Sequence, residues 1–206
     1  MRSTAAVNPE TLDLIIRLQS KEYLKGFYLV VGTALALLFG HRKSIDIDLF
    51  SESGFDTGQL LENLSHDFDF GLNFSATNTL KGSIENIKTD FLAHRYPLII
   101  EPFILKGVAM LSLQDIIAMK LNAIVTSGQR VKDFIDIYFL LEKYNLTEML
   151  SFYRQKYSLH NDVLVLKSLV WFDDVDLSAW PVLITNPKLK WPAVRKRMTM
   201  AVREMI

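Results

Sequence analysis

Two aspartates one residue apart, Asp46 and Asp48, sit inside the apolar segment Ile45-Asp46-Ile47-Asp48-Leu49-Phe50. In an extended chain alternate side chains share a face. The pattern therefore predicts Ile45, Ile47 and Leu49 turned to the core and both carboxylates turned together to the other side. Like charges so placed repel, and each disfavours ionisation of the other. A divalent cation bound by both removes that cost, and carboxylate oxygens suit Mg²⁺ or Mn²⁺. Just upstream, Gly32-Thr33 separates a β-rich run, Phe27–Val31, from a short apolar helix, Thr33–Phe39. Glycine lets the backbone approach a ligand closely, and a helix N-terminus points free N–H groups at an anion. Phosphate binding beside metal binding is what chemistry on a nucleoside triphosphate requires. The same logic asks for a third carboxylate on a neighbouring strand. Asp90, in Ile87-Lys88-Thr89-Asp90-Phe91-Leu92, supplies it, placed to bind a second metal and to help take the proton from an attacking hydroxyl. The alternative for all three acids is a solvated strand face.

A second set of charges lies further along. Lys120 falls in line with Ile116 and Ile124 on a helical stripe, where a lysine needs an anionic partner or an exit to solvent. A triphosphate is one candidate partner. Asp133 and Asp136 interrupt an otherwise apolar helix, Val131 to Tyr144, and buried carboxylates are normally paired. Lys120, Arg130 and Lys132 are candidate partners, either as a salt bridge tying two helices or as part of a cleft between the two halves of the chain. His41, Arg42 and Lys43 precede the aspartate strand and are candidates for contact with nucleotide phosphates or RNA, with a basic surface loop as the other reading.

The elements that must position these residues follow from periodicity. Helices are expected from Asn8 through Leu24 and over 57–66. Strands are expected over Phe27–Val31, Ser44–Phe50, Phe68–Ala76 and Gly82–Leu92, with an extended edge segment, Tyr96–Ile104, interrupted by Pro97 and Pro102. From Leu111 the pattern turns helical, over 112–126, 130–143, 146–157, 161–171 and 190–204, and Ser112 with Asp115 three residues on resembles a capping box. The chain thus divides into an α/β half, residues 1–107, and a helical half, residues 108–206, packed on each other with no Gly/Ser-rich linker between them.

The 206 residues carry no formal net charge and no cysteine. No global field draws in nucleic acid or membrane, and disulfides, thiolate metal sites and cysteine catalysis are excluded. Charge is unevenly spread: residues 1–150 carry a net −4 and residues 151–206 a net +4. The basic part includes Lys188, Lys190, Arg195, Lys196, Arg197 and Arg203, a docking surface for a polyanion or a solvated helix face. Met1–Glu10 lacks the apolar stretch of a signal peptide, and the longest uncharged run, Gly26–His41, is too short to span a membrane. The expectation is a cytoplasmic protein without membrane attachment.

Strand, Gly32-Thr33, helix, Asp46-x-Asp48 and a later strand carrying Asp90 together resemble the polymerase-β-type nucleotidyltransferase superfamily. More narrowly, VGTALALLFGHRKSIDIDLF resembles the AbiEii/AbiGii toxin family, whose members typically read Gly-Gly-Thr-Ala-Leu-Ala, a Gly-His-Arg stretch and Asp-Leu-Asp-Leu-Phe. Val31 stands where the first glycine is common. LSLQDIIAMKLNAI followed by GQRVKDFIDIYFLL is similar to the later motifs of the family, so that the match covers residues 27–142. The resemblance implies an α+β fold: a polymerase-β-like mixed sheet with flanking helices, followed by a packed helical region. It implies a nucleotidyltransferase that passes NMP from an NTP to an acceptor hydroxyl and releases pyrophosphate. Asp46, Asp48 and Asp90 would hold Mg²⁺ or Mn²⁺, and Gly32, Thr33, Arg42 and Lys120 would bind the nucleotide. Lys120, Asp133 and Asp136 would join the catalytic set. It further implies a toxin of a type IV toxin–antitoxin (abortive infection) system acting on tRNA, with a cognate antitoxin as partner. A small-molecule or protein acceptor and a non-catalytic binding relic are the alternatives.

Overall fold

A computed structural model describes residues 5–158 and 161–205 of the chain. Met1–Thr4, part of the amino-terminal reading, lie outside them. The order of elements is α1 (Pro9–Gln19), β1 (Phe27–Leu29), α2 (Val31–Phe39), β2 (Ile47–Ser51), α3 (Thr57–Phe68), β3 (Gly71–Ala76), β4 (Thr79–Ile84), β5 (Ile87–Ala93), β6 (Phe103–Leu105) and β7 (Val108–Met110). Among the described residues, five more α-helices follow: α4 (Leu113–Thr126), α5 (Val131–Leu140), α6 (Leu146–Tyr157), α7 (Val163–Val170) and α8 (Trp191–Arg203). The architecture is α+β. The seven strands form one mixed sheet in the order β3-β4-β5-β2-β1-β7-β6. β2 runs parallel to β5 and antiparallel to β1, while β1 runs parallel to β7. Strands give way to helices between Met110 and Leu113.

Alternation along β2 buries Ile47 and Leu49 and leaves Asp48 and Phe50 on the other face. Leu80, Ile84 and Phe91 extend the buried face across β4 and β5, where Phe91 meets the edges of Phe27 and Phe70. α2 is buried along most of its length and packs against α4 and α5, so the two halves share one core. Gly40 ends α2 in a left-handed conformation, φ +62°, which glycine adopts without steric cost.

Three expectations need correction. Gly82–Leu92 is two strands, β4 and β5, divided by a two-residue turn at Glu85-Asn86 with both φ positive, +52° and +64°. Glu85 gives no turn signal, because sheet pairing on both sides imposes the conformation. Ile45 does not point to the core; β2 begins only at Ile47, and Ile45 is 58% exposed in the preceding loop. The expected edge segment narrows to Phe103–Leu105, at the sheet edge.

Ser112 caps α4, accepting from the Asp115 N–H. The Asp115 carboxylate does not complete the capping box. It accepts from the N–H groups of Ile99 and Ile100, and from Lys156 Nζ at 2.6 Å, with Lys156 also donating to Pro97 O. This buried pair ties α6 to the loop that leaves β5.

Candidate active site

Asp48 lies on β2 and Asp90 on β5, and the parallel register pairs them directly, so both carboxylates leave the same face of the sheet. Asp90 is buried; its Oδ2 is 3.3 Å from Lys88 Nζ, and its Oδ1 has no hydrogen-bond partner among the described residues. Burial pushes the Asp48 carboxyl above its ordinary value and the charge of Asp90 pushes it further, with Lys88 and Lys120 offsetting only part. Asp46 stands one residue before the strand, half-buried, and its main-chain carbonyl accepts a hydrogen bond from Thr33 Oγ1.

Gly32 and Thr33 occupy the first turn of α2. Thr33 is buried and its hydroxyl is committed to Asp46 O, with Ser44 Oγ at 2.9 Å. It anchors the helix to the aspartate strand and does not face the cleft. Gly32 does, and a Cβ there would stand 2.7 Å from Arg42 Nη2. The preceding Val31 has φ +47°, a strained value for a β-branched residue at the position where the resemblance expects glycine.

Behind the cleft lies a compact ion network. Lys120 Nζ is 2.7 Å from Asp133 Oδ1 and 2.6 Å from Asp136 Oδ2. Arg42 grips Asp136 with both Nε (2.7 Å) and Nη2 (2.9 Å), and His41 Nε2 donates to Asp136 Oδ1 at 2.7 Å. Arg130 closes on Asp133 at 3.0 Å. Lys120, Asp133, Asp136, Arg42 and His41 are all buried. Burial alone would raise the Asp136 carboxyl; the charges of Arg42 and Lys120 and the hydrogen bonds from Arg42 and His41 outweigh it and hold the group well below the ordinary range. Arg42 therefore acts first as a partner of Asp136, although it also borders the cleft.

The cleft itself encloses about 500 Å³. Of the expected residues, Gly32, Arg42, Asp46, Asp48 and Lys120 line it, while Thr33, Asp90, Asp133 and Asp136 stand behind these. Lys88, Arg130 and Lys132 add positive charge to the same wall. Pro181 and Val182 enter from the helical half with no warning in the sequence, brought by an antiparallel bridge between Arg42 and Leu183. Among the described residues, no group of three His, Asp or Glu side chains is gathered closely enough to hold a metal ion. A larger cavity of about 690 Å³, between the α5–α6 junction and α8, is lined by Tyr138, Tyr144 and Arg197 among others and none of the expected site residues.

A family model for the nucleotidyl transferase AbiEii toxin of type IV toxin–antitoxin systems matches residues 82–205. The chain belongs to the AbiEii family. Asp90, Lys120, Asp133 and Asp136 fall within the matched span, and a nucleotidyltransferase is the enzyme class of the family. A protein of Aquifex aeolicus described as uncharacterized is 32% identical over 180 residues, covering 84% of this chain and 85% of that one. Among solved structures, the nucleotidyltransferase toxin MenT4 of Mycobacterium tuberculosis superposes with a TM-score of 0.57 at 15% identity, covering 98% of this chain and 88% of the other. JHP933 of Helicobacter pylori gives 0.53 at 19% identity, over 97% and 93%. At these identities the likeness speaks for the fold. AbiEii membership and the mixed sheet agree on a nucleotidyltransferase. No helix among the described residues is long and apolar enough to cross a membrane.

Proposed function

We propose that this AbiEii chain transfers a nucleoside monophosphate from an NTP to a hydroxyl of tRNA with the help of Mg²⁺ or Mn²⁺, as the toxin of a type IV toxin–antitoxin pair in the cytoplasm. The observation that carries the reading is the Asp48–Asp90 pair: two carboxylates side by side, one with its affinity for protons raised and the other with a buried, unpartnered oxygen. Such a donor set fits a hard divalent cation, which satisfies the orphaned oxygen and cancels the repulsion. Asp48 and Asp90 would hold it, with Asp46 on the wall of the same cleft. When bound, the metal supplies charge neutralisation at the triphosphate and acidifies the attacking hydroxyl.

The protein's own groups do the rest. Gly32 and the first turn of α2 lie against the phosphates, and Lys88, Lys120, Arg130 and Lys132 bring positive charge to the cleft that holds them. The acceptor oxygen bonds to the α-phosphorus, the bond to the bridging oxygen of the β-phosphate breaks, and pyrophosphate leaves. The acceptor proton passes to a carboxylate of the pair. Asp133 and Asp136 position Lys120 and Arg42 rather than touch the nucleotide. In this scheme the sheet half, residues 1–107, holds the reacting groups and the helical half, 108–206, closes the cleft. The exposed Lys188, Lys190, Arg195, Lys196 and Arg203 favour a polyanionic acceptor.

The test incubates the protein with Mg²⁺, each labelled NTP and total tRNA, beside Asp48→Ala. Label on tRNA with the native chain alone is the expected result. Label on protein or on a small molecule would replace the acceptor, and no transfer to any acceptor would overturn the proposal.

A further inference from the structure

The cleft has two kinds of wall. One is charged: Asp48, Lys88, Lys120 and Arg130. The other is made where residues 179–184 of the helical half run antiparallel to the loop 41–45. Arg42 and Leu183 form the bridge, Lys43 N–H donates to Val182 O at 2.8 Å, and Ile184 N–H donates to His41 O at 2.8 Å. At this seam Ile45 and Val182 remain 58% and 62% exposed, and both line the cleft with Ala179 and Pro181. Two aliphatic side chains are thus open to water inside the cleft, next to β2, whose Ile47 and Leu49 are fully buried. Two of the seam's main-chain donors are spent, Lys43 N–H on Val182 O and Ser44 N–H on Ala6 O. Between the polar Lys43 and Ser44 and the charged wall, Ile45 and Val182 present hydrocarbon to the cleft.

A ligand that fills the cleft therefore meets cations and carboxylates at one group of residues and hydrocarbon at another. A nucleoside triphosphate has that composition, with an anionic tail and a flat base whose faces are apolar. We propose that Ile45 and Val182 form the nucleobase wall of the cleft and hold the face of the incoming base by apolar contact. The proposal rests on the functional reading above and adds residues that neither the paired carboxylates nor the ion network contains. It also gives the 179–184 segment a role: by pairing with the loop that carries Arg42, it completes a site whose chemistry lies in the sheet half.

Binding of each NTP and of inorganic tripolyphosphate, in Mg²⁺, is measured by calorimetry for the native chain, Val182→Ala and Ile45→Ala. Both side chains are mostly exposed, so the variants should fold with unchanged circular dichroism and melting. The expected result is about tenfold weaker NTP binding with tripolyphosphate binding unchanged, since apolar pocket contacts of this size are worth roughly ten- to two-hundredfold. Loss of affinity for both ligands alike, or for neither, overturns the wall. Unchanged NTP affinity with a raised KM for the acceptor RNA assigns the surface to the acceptor's terminal base and also overturns it. If the native chain binds neither ligand, the functional reading itself fails, and the two failures are told apart by that control.

Discussion

Asp48 with Asp90, and Asp133 with Asp136, are both carboxylate pairs in the interior of one protein, and the fold treats them in opposite ways. The helical pair is fully compensated. Three cations and a histidine close on it, and Asp136 is held ionised well below the usual carboxylate range. The sheet pair is left short: one lysine reaches Asp90 at 3.3 Å, one oxygen has no donor, and Asp48 is pushed upward. A buried charge with all its partners is a finished structural part, and removing one member leaves the others stranded. A carboxylate pair without enough partners carries a repulsion that a proton or a bound cation relieves, and perturbed groups of that kind mark sites of chemistry. The same residue type thus serves as a brace in one region and as a waiting ligand in the other.

The contrast breaks first at Asp136. Asp136→Ala leaves Arg42 and Lys120 buried with too little negative charge, and a loss of about 3–5 kcal/mol is expected, measured by urea denaturation. The pH dependence carries the sign. Asp136 has a folded value below 3.8, so its contribution is present above that value and lost as pH falls through the folded one. The native chain should lose stability on acidification below about pH 4, and Asp136→Ala should show a shallower acid limb. Asp48 works against this, because its folded value lies above 3.8 and its ionisation costs stability as pH rises through that value.

Asp48→Asn is the reciprocal test. Removing one of two repelling carboxylates should leave the melting temperature equal or slightly higher, while nucleotide transfer falls about 10²- to 10³-fold, the scale for losing one electrostatic group of an active site. Mg²⁺ should raise the melting temperature of the native chain and not that of the variant, read by calorimetry. A destabilised Asp48→Asn would place the sheet pair among the structural braces and erase the comparison.

The smallest effect is at the lip of the cleft. Val31 sits at φ +47°, and Val31→Gly removes that strain at the cost of extra freedom in the unfolded chain. A net gain of about 1 kcal/mol is expected, a rise of roughly 2–4 °C for a chain of this size. No gain would mean that the strain is no larger than the packing lost with the half-buried Val31 side chain.

Much of this was legible beforehand. The period-2 alternation through Ile47, Asp48 and Leu49 placed the aspartate strand, and the apolar stripes of α4 and α5 placed Lys120, Asp133 and Asp136 on facing helices. Lys120 was open between a triphosphate and a salt bridge, and it makes the bridge while still reaching the cleft. The resemblance makes Arg42 and Thr33 nucleotide contacts. Their polar groups are instead spent on Asp136 and on the Asp46 carbonyl, partners that no local pattern announces. The turn at Glu85-Asn86 was missed because neither residue is glycine.

By itself the sequence determined the elements and the types of group available, since periodicity and chain-breaking residues act over a few positions. It also placed Asp48 and Asp90 on two strands, whereas Asp46, expected on the first of them, falls one residue before it. Which carboxylates would be neutralised and which left wanting was decided only by the tertiary structure. Arg42 meets Asp136 94 residues away, and Val182 comes to lie beside Lys43, because burying α2 against α4 and α5 brings those surfaces together. The strength of a charge in a protein is set by its burial and its neighbours, and these exist only once the chain has folded.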